Sequence, residues 1–439
     1  IDSTNDPYKG LSFDEQYAIK KTGIYAGKPA LSIEDWNLLK NYIIAMAPDS
    51  LPSDMNPLDR HELSQFIPKP IRIDSISGSF ITFLEYDRQK HDIITADLNG
   101  DVTRHDLFSG KSDKIIQTGE AVTAYSKKNG NHYITHTGYL NPSEIASGNI
   151  QIKSNDTLEQ LPITLHRPVH TLIHDFNDDG QDELVVSEFG NLTGALSLLT
   201  KEKNGAYRKK TLLNRPGATR SIAKDMNGDG KDDLVSLTAQ GKESIVILYQ
   251  HNELEFRPES VIEFSPVYGT SWFELIDYDG DGDDDLITVH GDNADKSYVH
   301  KPYHGVRIFI NDGRNQFEQK FFYAMNGATR LVARDFDRDG DIDLGVLSTF
   351  PDYKSKPEFS FVYLENKNAD KFEFKPNTFQ DSKLGRWLLL DAGDIDQDGD
   401  EDIILSSFTY AFTPVPKEMS DLWEESNIDL MILENTLTP

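Results

Sequence analysis

Five short stretches of this chain carry side chains whose type and spacing suit hard-cation chemistry. They read DFNDDGQDEL from 175, DMNGDGKDDL from 225, DYDGDGDDDL from 277, DFDRDGDIDL from 335 and DIDQDGDEDI from 394. The shared pattern is D-x-[DN]-x-D-G-x-x-[DE]-[LI]. Oxygen donors at positions 1, 3 and 5 can converge on one cation as the backbone curls. Glycine at position 6 permits the sharp turn, position 7 can offer its carbonyl, and the acid at position 9 closes the shell. The donor sets are Asp175, Asn177, Asp179 and Glu183; Asp225, Asn227, Asp229 and Asp233; Asp277, Asp279, Asp281 and Asp285; Asp335, Asp337, Asp339 and Asp343; and Asp394, Asp396, Asp398 and Asp402. An all-oxygen, flexible site favours calcium, and about five ions are expected. Two carboxylates about 4 Å apart repel by on the order of 4 kcal/mol at an effective dielectric near ~20, so such loops call for a counter-ion.

The elements around each motif repeat too. Motif starts are separated by 50, 52, 58 and 59 residues. A short apolar strand precedes the motif (171–174, 273–276, 331–333, 387–390) and another follows it (184–187, 234–237, 286–289, 403–406). A third strand comes after a loop (244–249, 305–310, 360–364), and a turn leads to a fourth. Four strands per unit of this length is a propeller blade. Motif, period and strand order together resemble the FG-GAP/VCBS repeat family of calcium-binding β-propellers. The resemblance implies a calcium loop between the first two strands of a blade.

Residues 74–164 leave room for two more blades without the motif, starting at 80–86 and 121–125. Asp97-Leu-Asn-Gly-Asp101 mimics the motif but follows a second strand and lacks glycine at position 6, so a hairpin turn is expected there. The expected fold is therefore all-β: a seven-bladed propeller of four-stranded blades over 65–439, with a helical amino-terminal segment over 1–64. Strand 428–434 lacks a partner after it, and 66–73 can supply one, closing the ring.

In the amino-terminal segment, 31–48 reads as an amphipathic helix with Ser32 as N-cap, Asp35 in a variant capping box and Pro48 as the stop. A weaker helix is expected at 13–21. The stretch resembles the end of a cytochrome-c-like region that precedes such propellers in some Bacteroidota surface proteins. No CxxCH is present, so no haem attachment exists within this chain, and Met46 and Met55 read as ordinary methionines. The piece is expected to pack on the propeller.

Composition bounds the function. The chain has 439 residues, 44 Lys+Arg against 73 Asp+Glu, and a formal net charge of -29. That balance excludes nucleic-acid binding by phosphate neutralisation. The absence of cysteine excludes disulfides and thiolate chemistry. No apolar run is long enough to span a membrane. The five motifs hold 26 of the acidic residues. Five divalent cations would bring the formal charge to about -19.

Loops joining second to third strands lengthen along the chain: 239–243, 290–305, 350–358 and 409–427, the last carrying Tyr410, Phe412 and Trp423. Long loops on one face are where function concentrates. With the blade-to-blade loops they are expected to gather His166, Arg167, His170, Arg215, Tyr268, His290, Asp292, Asn293, Lys301, Tyr303, His304, Asp352, Tyr353 and Arg386 at a central mouth. Such a set suits a polar, anionic or sugar-like ligand. No nucleophile elbow, phosphate loop or paired-acid signature names a reaction. The leading expectation is an extracytoplasmic, calcium-stabilised module that binds a glycan or a partner protein, secreted, periplasmic or anchored at the outer membrane of a Gram-negative bacterium, within a surface complex. The alternatives are a lyase or dehydratase acting on acidic carbohydrate, and an accessory to electron transfer. A lipid-anchor cysteine or a CxxCH before Ile1 would bear on these.

Overall fold

In the computed structural model, residues 8–47, 61–107, 109–155, 157–293, 299–410 and 413–437 are described. Seven sheets follow one another along the chain. Blades 1 to 6 span 81–117, 122–160, 168–213, 218–263, 270–324 and 328–378, each with its four strands in simple antiparallel succession. Blade 7 takes three strands from 387–435 and its outer strand from Phe66–Ile71, which pairs antiparallel with Leu430–Asn435. Asp429 ties the same join, accepting from the Ile73 backbone at 2.9 Å. The ring is thus closed by its own first propeller strand. His61–Glu62 adds a fifth, parallel strand at the edge of blade 6, against Asn377–Thr378.

Burial explains the sequence pattern. The second strand of blades 3 to 7 is buried at every residue, because both faces are covered by neighbouring blades. Outer strands such as Tyr207–Leu213 are instead largely exposed or half-buried. The core lies between blades. Val332, Phe336 and Phe361 of blade 6, for instance, pack with Trp387, Ile403 and Met431 of blade 7 and with Phe66 of the closing strand. First strands form the inner ring, where a hydroxyl near the strand start recurs as a link to the next blade. Thr82 donates to the Val122 carbonyl at 2.6 Å, Thr123 to Pro168 at 3.1 Å and Ser271 to Thr329 at 3.0 Å. A register shift follows the first residue of the inner strand in all seven blades.

Helix α1 spans Phe13–Thr22, with a Ser12/Glu15 capping box and Gly23 as a left-handed C-cap. It buries Ile19 and lies beside Glu144, Ile145 and Thr193 of the loops on blades 2 and 3. Helix α2 spans Ile33–Met46 with Ser32 as N-cap, and it buries nothing. The expected packing against the propeller therefore holds for α1 and fails for α2. The apolar side chains of α2 (Trp36, Leu38, Tyr42 and Ile43 among them) stay in solvent. Met46 is exposed, and Met55 and Pro48 fall outside the described residues. Helix α3, Lys417–Ser426, occupies what the sequence suggested was a plain loop. Met419 and Trp423, one turn apart, anchor it. Asp97 does form the hairpin turn, accepting from the Asn99 and Asp101 backbones at 2.9 and 3.0 Å.

Candidate functional site: acidic loops and a loop-built cleft

Each acidic motif forms the turn between the first and second strands of its blade. All five share one backbone. Position 6 is left-handed in every copy (Gly180, Gly230, Gly282, Gly340, Gly399), and so is position 4 (Asp178, Gly228, Gly280, Arg338, Gln397). Those two inversions turn backbone N–H groups onto the carboxylates. The position 1 carboxylate accepts from the position 6 N–H at 2.8 to 3.1 Å in blades 3 to 6. The position 5 carboxylate accepts from the position 7 N–H at 2.8 to 3.1 Å in all five.

Carboxylate oxygens come within 4.8 Å of one another in three loops: Asp277, Asp279 and Asp285; Asp335, Asp337 and Asp339; Asp394, Asp396 and Asp398. In blades 3 and 4 position 3 is an amide, Asn177 or Asn227, which offers a carbonyl oxygen in place of a carboxylate. Asp335 and Asp394 each keep one buried oxygen, Oδ1, without a hydrogen-bond partner. Asp279, Asp337 and Asp396 are raised from the usual carboxylate range by burial, with neighbouring aspartates adding to it. Orphaned oxygens and crowded acids are what a hard cation would satisfy, so the donor set fits one.

Position 9 has a second task that its spacing did not announce. Glu183, Asp233, Asp285, Asp343 and Asp402 are all buried. One oxygen of each accepts from the position 2 backbone N–H, at 2.9 to 3.1 Å. In blades 4 to 7 the other oxygen accepts from the end of the third strand, at Gln250, Asn311, Asn366 or Asn435, at 2.7 to 2.8 Å. Burial still pushes Glu183, Asp343 and Asp402 up to about 7, and Asp285 to about 6. Asp285 and Asp402 each accept one hydrogen bond per oxygen, which leaves a lone pair on each that a cation could use.

Links between blades run through the same loops. Gln250 of blade 4 donates to the Phe176 carbonyl of blade 3 at 2.8 Å, Asn315 to Met226 at 2.6 Å, and Asn435 to Phe336 at 2.8 Å. Position 8 pairs with the last residue of the preceding inner strand: Lys128 with Asp182 at 2.5 Å, His174 with Asp232 at 2.7 Å, Lys224 with Asp284, and Arg334 with Glu401 at 3.4 Å. Residues 225–288 match the FG-GAP-like repeat. The molecule is a seven-bladed β-propeller with an FG-GAP-like repeat across its fourth and fifth blades. That match runs from the loop of blade 4 through the loop of blade 5, and the other three loops repeat its turn. No curated protein matches the chain. Among solved structures, Saccharomyces cerevisiae Sqt1 aligns at 11% identity over 81% of this chain and 84% of that one, with TM-score 0.45. The Neurospora crassa Pan2 WD40 domain aligns at 11% identity over 86% and 99%, with TM-score 0.48.

On the opposite face of the propeller, the residues expected at one mouth are divided into separate groups. His166 and Arg167 stitch blades 2 and 3. His166 contacts the Ser143 carbonyl at 3.0 Å, and Arg167 donates to the carbonyls of Gly190 and Leu140 at 2.5 and 3.1 Å. Tyr268, His290, Tyr303 and His304 cluster between blades 4 and 5 around Arg307, which the sequence gave no reason to single out. His290 is 0% exposed and both ring nitrogens meet threonine hydroxyls, Thr270 and Thr288, at 2.8 Å. Burial holds it neutral, well below the usual histidine range. His304 is 1% exposed. Neither ring is open to a ligand. His170 sits on an inner strand and Arg215 in the loop between blades 3 and 4, while the Lys301 carbonyl accepts from the His304 N–H at 3.1 Å and the Asp292 N–H donates to the Gly269 carbonyl at 2.9 Å.

Asn293, Asp352 and Tyr353 do come together. With His300, Lys354 and a wall of Phe350, Pro351, Pro414 and Pro416 they line a cavity of about 430 Å³ between the loops of blades 5, 6 and 7. His300 approaches Asp352 at 3.9 Å. Tyr353 is fixed by donating to the Thr349 carbonyl at 2.6 Å, with its ring edge-on to Trp423 of α3. Behind the wall, Arg386 is 1% exposed and donates to the Tyr410 carbonyl and the Thr413 hydroxyl at 2.8 and 2.6 Å, so it braces the cleft instead of lining it. Phe412 lies outside the described residues.

Proposed function

We propose that this protein is a calcium-stabilised, extracytoplasmic binding module whose cleft between blades 5, 6 and 7 takes a glycan or an exposed segment of a partner protein. The division of labour between the two faces carries the reading: five acidic loops on one face, and a cavity built from long loops on the other. Calcium would be held by positions 1, 3 and 5 of each loop, aided by position 9. It would supply positive charge where the chain crowds carboxylates and would brace the turn between the first two strands. The cleft pairs an apolar wall of Phe350, Pro351 and Pro414 with a polar rim of Asn293, His300, Asp352 and Lys354, a combination suited to a sugar ring or an extended peptide. The lack of cysteine agrees with an extracytoplasmic setting without demanding it.

A glycan array and pull-down on intact protein test this, with Asp352→Ala and Lys354→Ala as cleft variants. Binding that both variants lower at least tenfold, with melting temperature unchanged, supports the cleft. Binding that ignores both variants overturns it. An enzymatic reading on acidic carbohydrate has one observation in its favour, the approach of His300 to Asp352. Appearance of an unsaturated product that His300→Ala abolishes would establish it and displace the non-catalytic one.

A further inference from the structure

One cluster on the inner ring has no part in the loops or the cleft. It occupies the same register position, just after the bulge, on the first strands of blades 3, 4, 5 and 6: His170, Arg220, Trp272 and Arg330. All four are half-buried. The Arg220 guanidinium lies 4.2 Å from the Trp272 ring centre, and that of Arg330 lies 4.5 Å from it. Two cations therefore share one indole.

Their surroundings differ. Arg220 is compensated: Glu274 Oε1 accepts from it at 3.0 Å and also accepts from the Trp272 indole N–H at 2.8 Å. Arg330 is not. Among the described residues it makes no ion pair, and its hydrogen bonds run from Nη1 to the Thr329 and Ser271 carbonyls at 3.0 and 3.3 Å. The Nε and Nη2 donors have no protein acceptor among those residues. Burial pushes Arg330 down to about 10; Arg220 adds to the shift and Asp292 opposes it. His170 is pushed down to about 3 by burial and then by Arg220, so it is neutral, and its Nδ1 is buried without a partner. The free edge of Arg330 is open to solvent and lies beside a second cation, which makes it a ready partner for something negative. Asp292 is near enough to act on Arg330 but forms no ion pair with it.

We propose that Arg220 and Arg330, stacked on Trp272, form a binding site for a small oxyanion on the inner ring of the propeller. The planar fork of Arg330 matches a carboxylate or a phosphate-like group with two parallel hydrogen bonds, and the indole fixes the plane of that fork. This site is separate from the cleft, and either can stand without the other.

Thermal unfolding at constant ionic strength and constant calcium tests it, using sodium succinate and sodium sulfate against sodium chloride, on wild type, Arg330→Gln and Arg330→Lys. Wild type is expected to gain melting temperature with saturation in the millimolar range. Arg330→Gln should melt in chloride at or above the wild-type temperature, because an uncompensated charge is gone, and should show no saturable gain. Arg330→Lys keeps charge but loses the fork, and its half-saturating concentration should rise at least tenfold. A larger response to succinate than to sulfate assigns a carboxylate, and the reverse assigns a tetrahedral anion. If Arg330→Gln fails to fold, equilibrium dialysis of labelled succinate and labelled sulfate against wild type and Arg330→Lys decides: about one ion of either kind per wild-type chain supports the site, and none of either overturns it. Equal responses from wild type and Arg330→Gln overturn it as well, since that is general salt exclusion.

Discussion

Asp343 accepts from the Phe336 and Asn366 backbones and from the Tyr363 hydroxyl, at 3.1, 2.7 and 2.7 Å. Removing it strands three buried donors, whereas removing Asp337 relieves crowding among carboxylates. Asp343→Ala is therefore expected to lose about 3 kcal/mol in urea unfolding of chelator-treated protein, and more in calcium. Asp337→Asn should leave chelator-treated protein as stable or slightly more so, while weakening the response to calcium. The left-handed positions give a second contrast. Gly399 has φ 100° and open space where a Cβ would go, so Gly399→Ala carries a purely conformational cost of about 1 kcal/mol. Gln397, at φ 61°, already bears such a cost, and Gln397→Gly should recover up to ~1 kcal/mol by the same measurement. Position 6 was legible because glycine fills it in every copy. Position 4 was not, since Asp178, Arg338 and Gln397 hide the same conformation.

Between elements, the closing strand and the inner ring make separate predictions. Deleting residues 1–47 removes one helix that buries only Ile19 and another that buries nothing, so stability should change little. Deleting 1–73 also bares the edge of Leu430–Asn435, and the product should melt lower and self-associate, as size-exclusion chromatography would register. On the inner strands of blades 1 and 7, Glu85 keeps an exposed side chain, and the protein crowded around it, then Asp391 and Asp87, raise it to about 7. An acid raised in the folded state costs stability once it ionises. The cost is full above pH 7 and is relieved as pH falls from 7 toward the ordinary carboxylate value. Because the side chain is exposed and partly screened, Glu85→Gln should raise the melting temperature only slightly at pH 8 and leave it unchanged at pH 5. The closing strand was legible, because 428–434 wanted a partner and 66–73 had no other. Helix α3 was not: it is short and held by two side chains, Met419 and Trp423, within a loop whose anchoring partners belong to other blades.

Across the whole molecule, repetition made the fold readable and the ligand face unreadable. Blade phasing follows from five copies of one motif, whose local hydrogen bonds are set by sequence spacing. The fourteen face residues share no such phase. Which of them meet depends on the width of the ring and on loop paths, which divide His166 and Arg167 from Tyr268 and His290, and both pairs from Asp352 and Tyr353. Arg307, His300, Trp272 and Arg330 escaped notice because nothing in their local sequence distinguishes them from core or surface residues. Among the described residues no helix is long and apolar enough to cross a membrane. We propose that cations hold the five loops, and through the Gln250, Asn315 and Asn435 links brace blade 3 to 4, 4 to 5 and 6 to 7. Each site at a hundredfold excess over its Kd would add about 2.7 kcal/mol. The direct measurement is calcium titration of chelator-stripped protein, counting bound ions by equilibrium dialysis and following the melting temperature in the same samples. About five ions per chain, with a melting temperature that climbs as they bind, is the predicted result; no bound calcium and an unchanged melting temperature would contradict it.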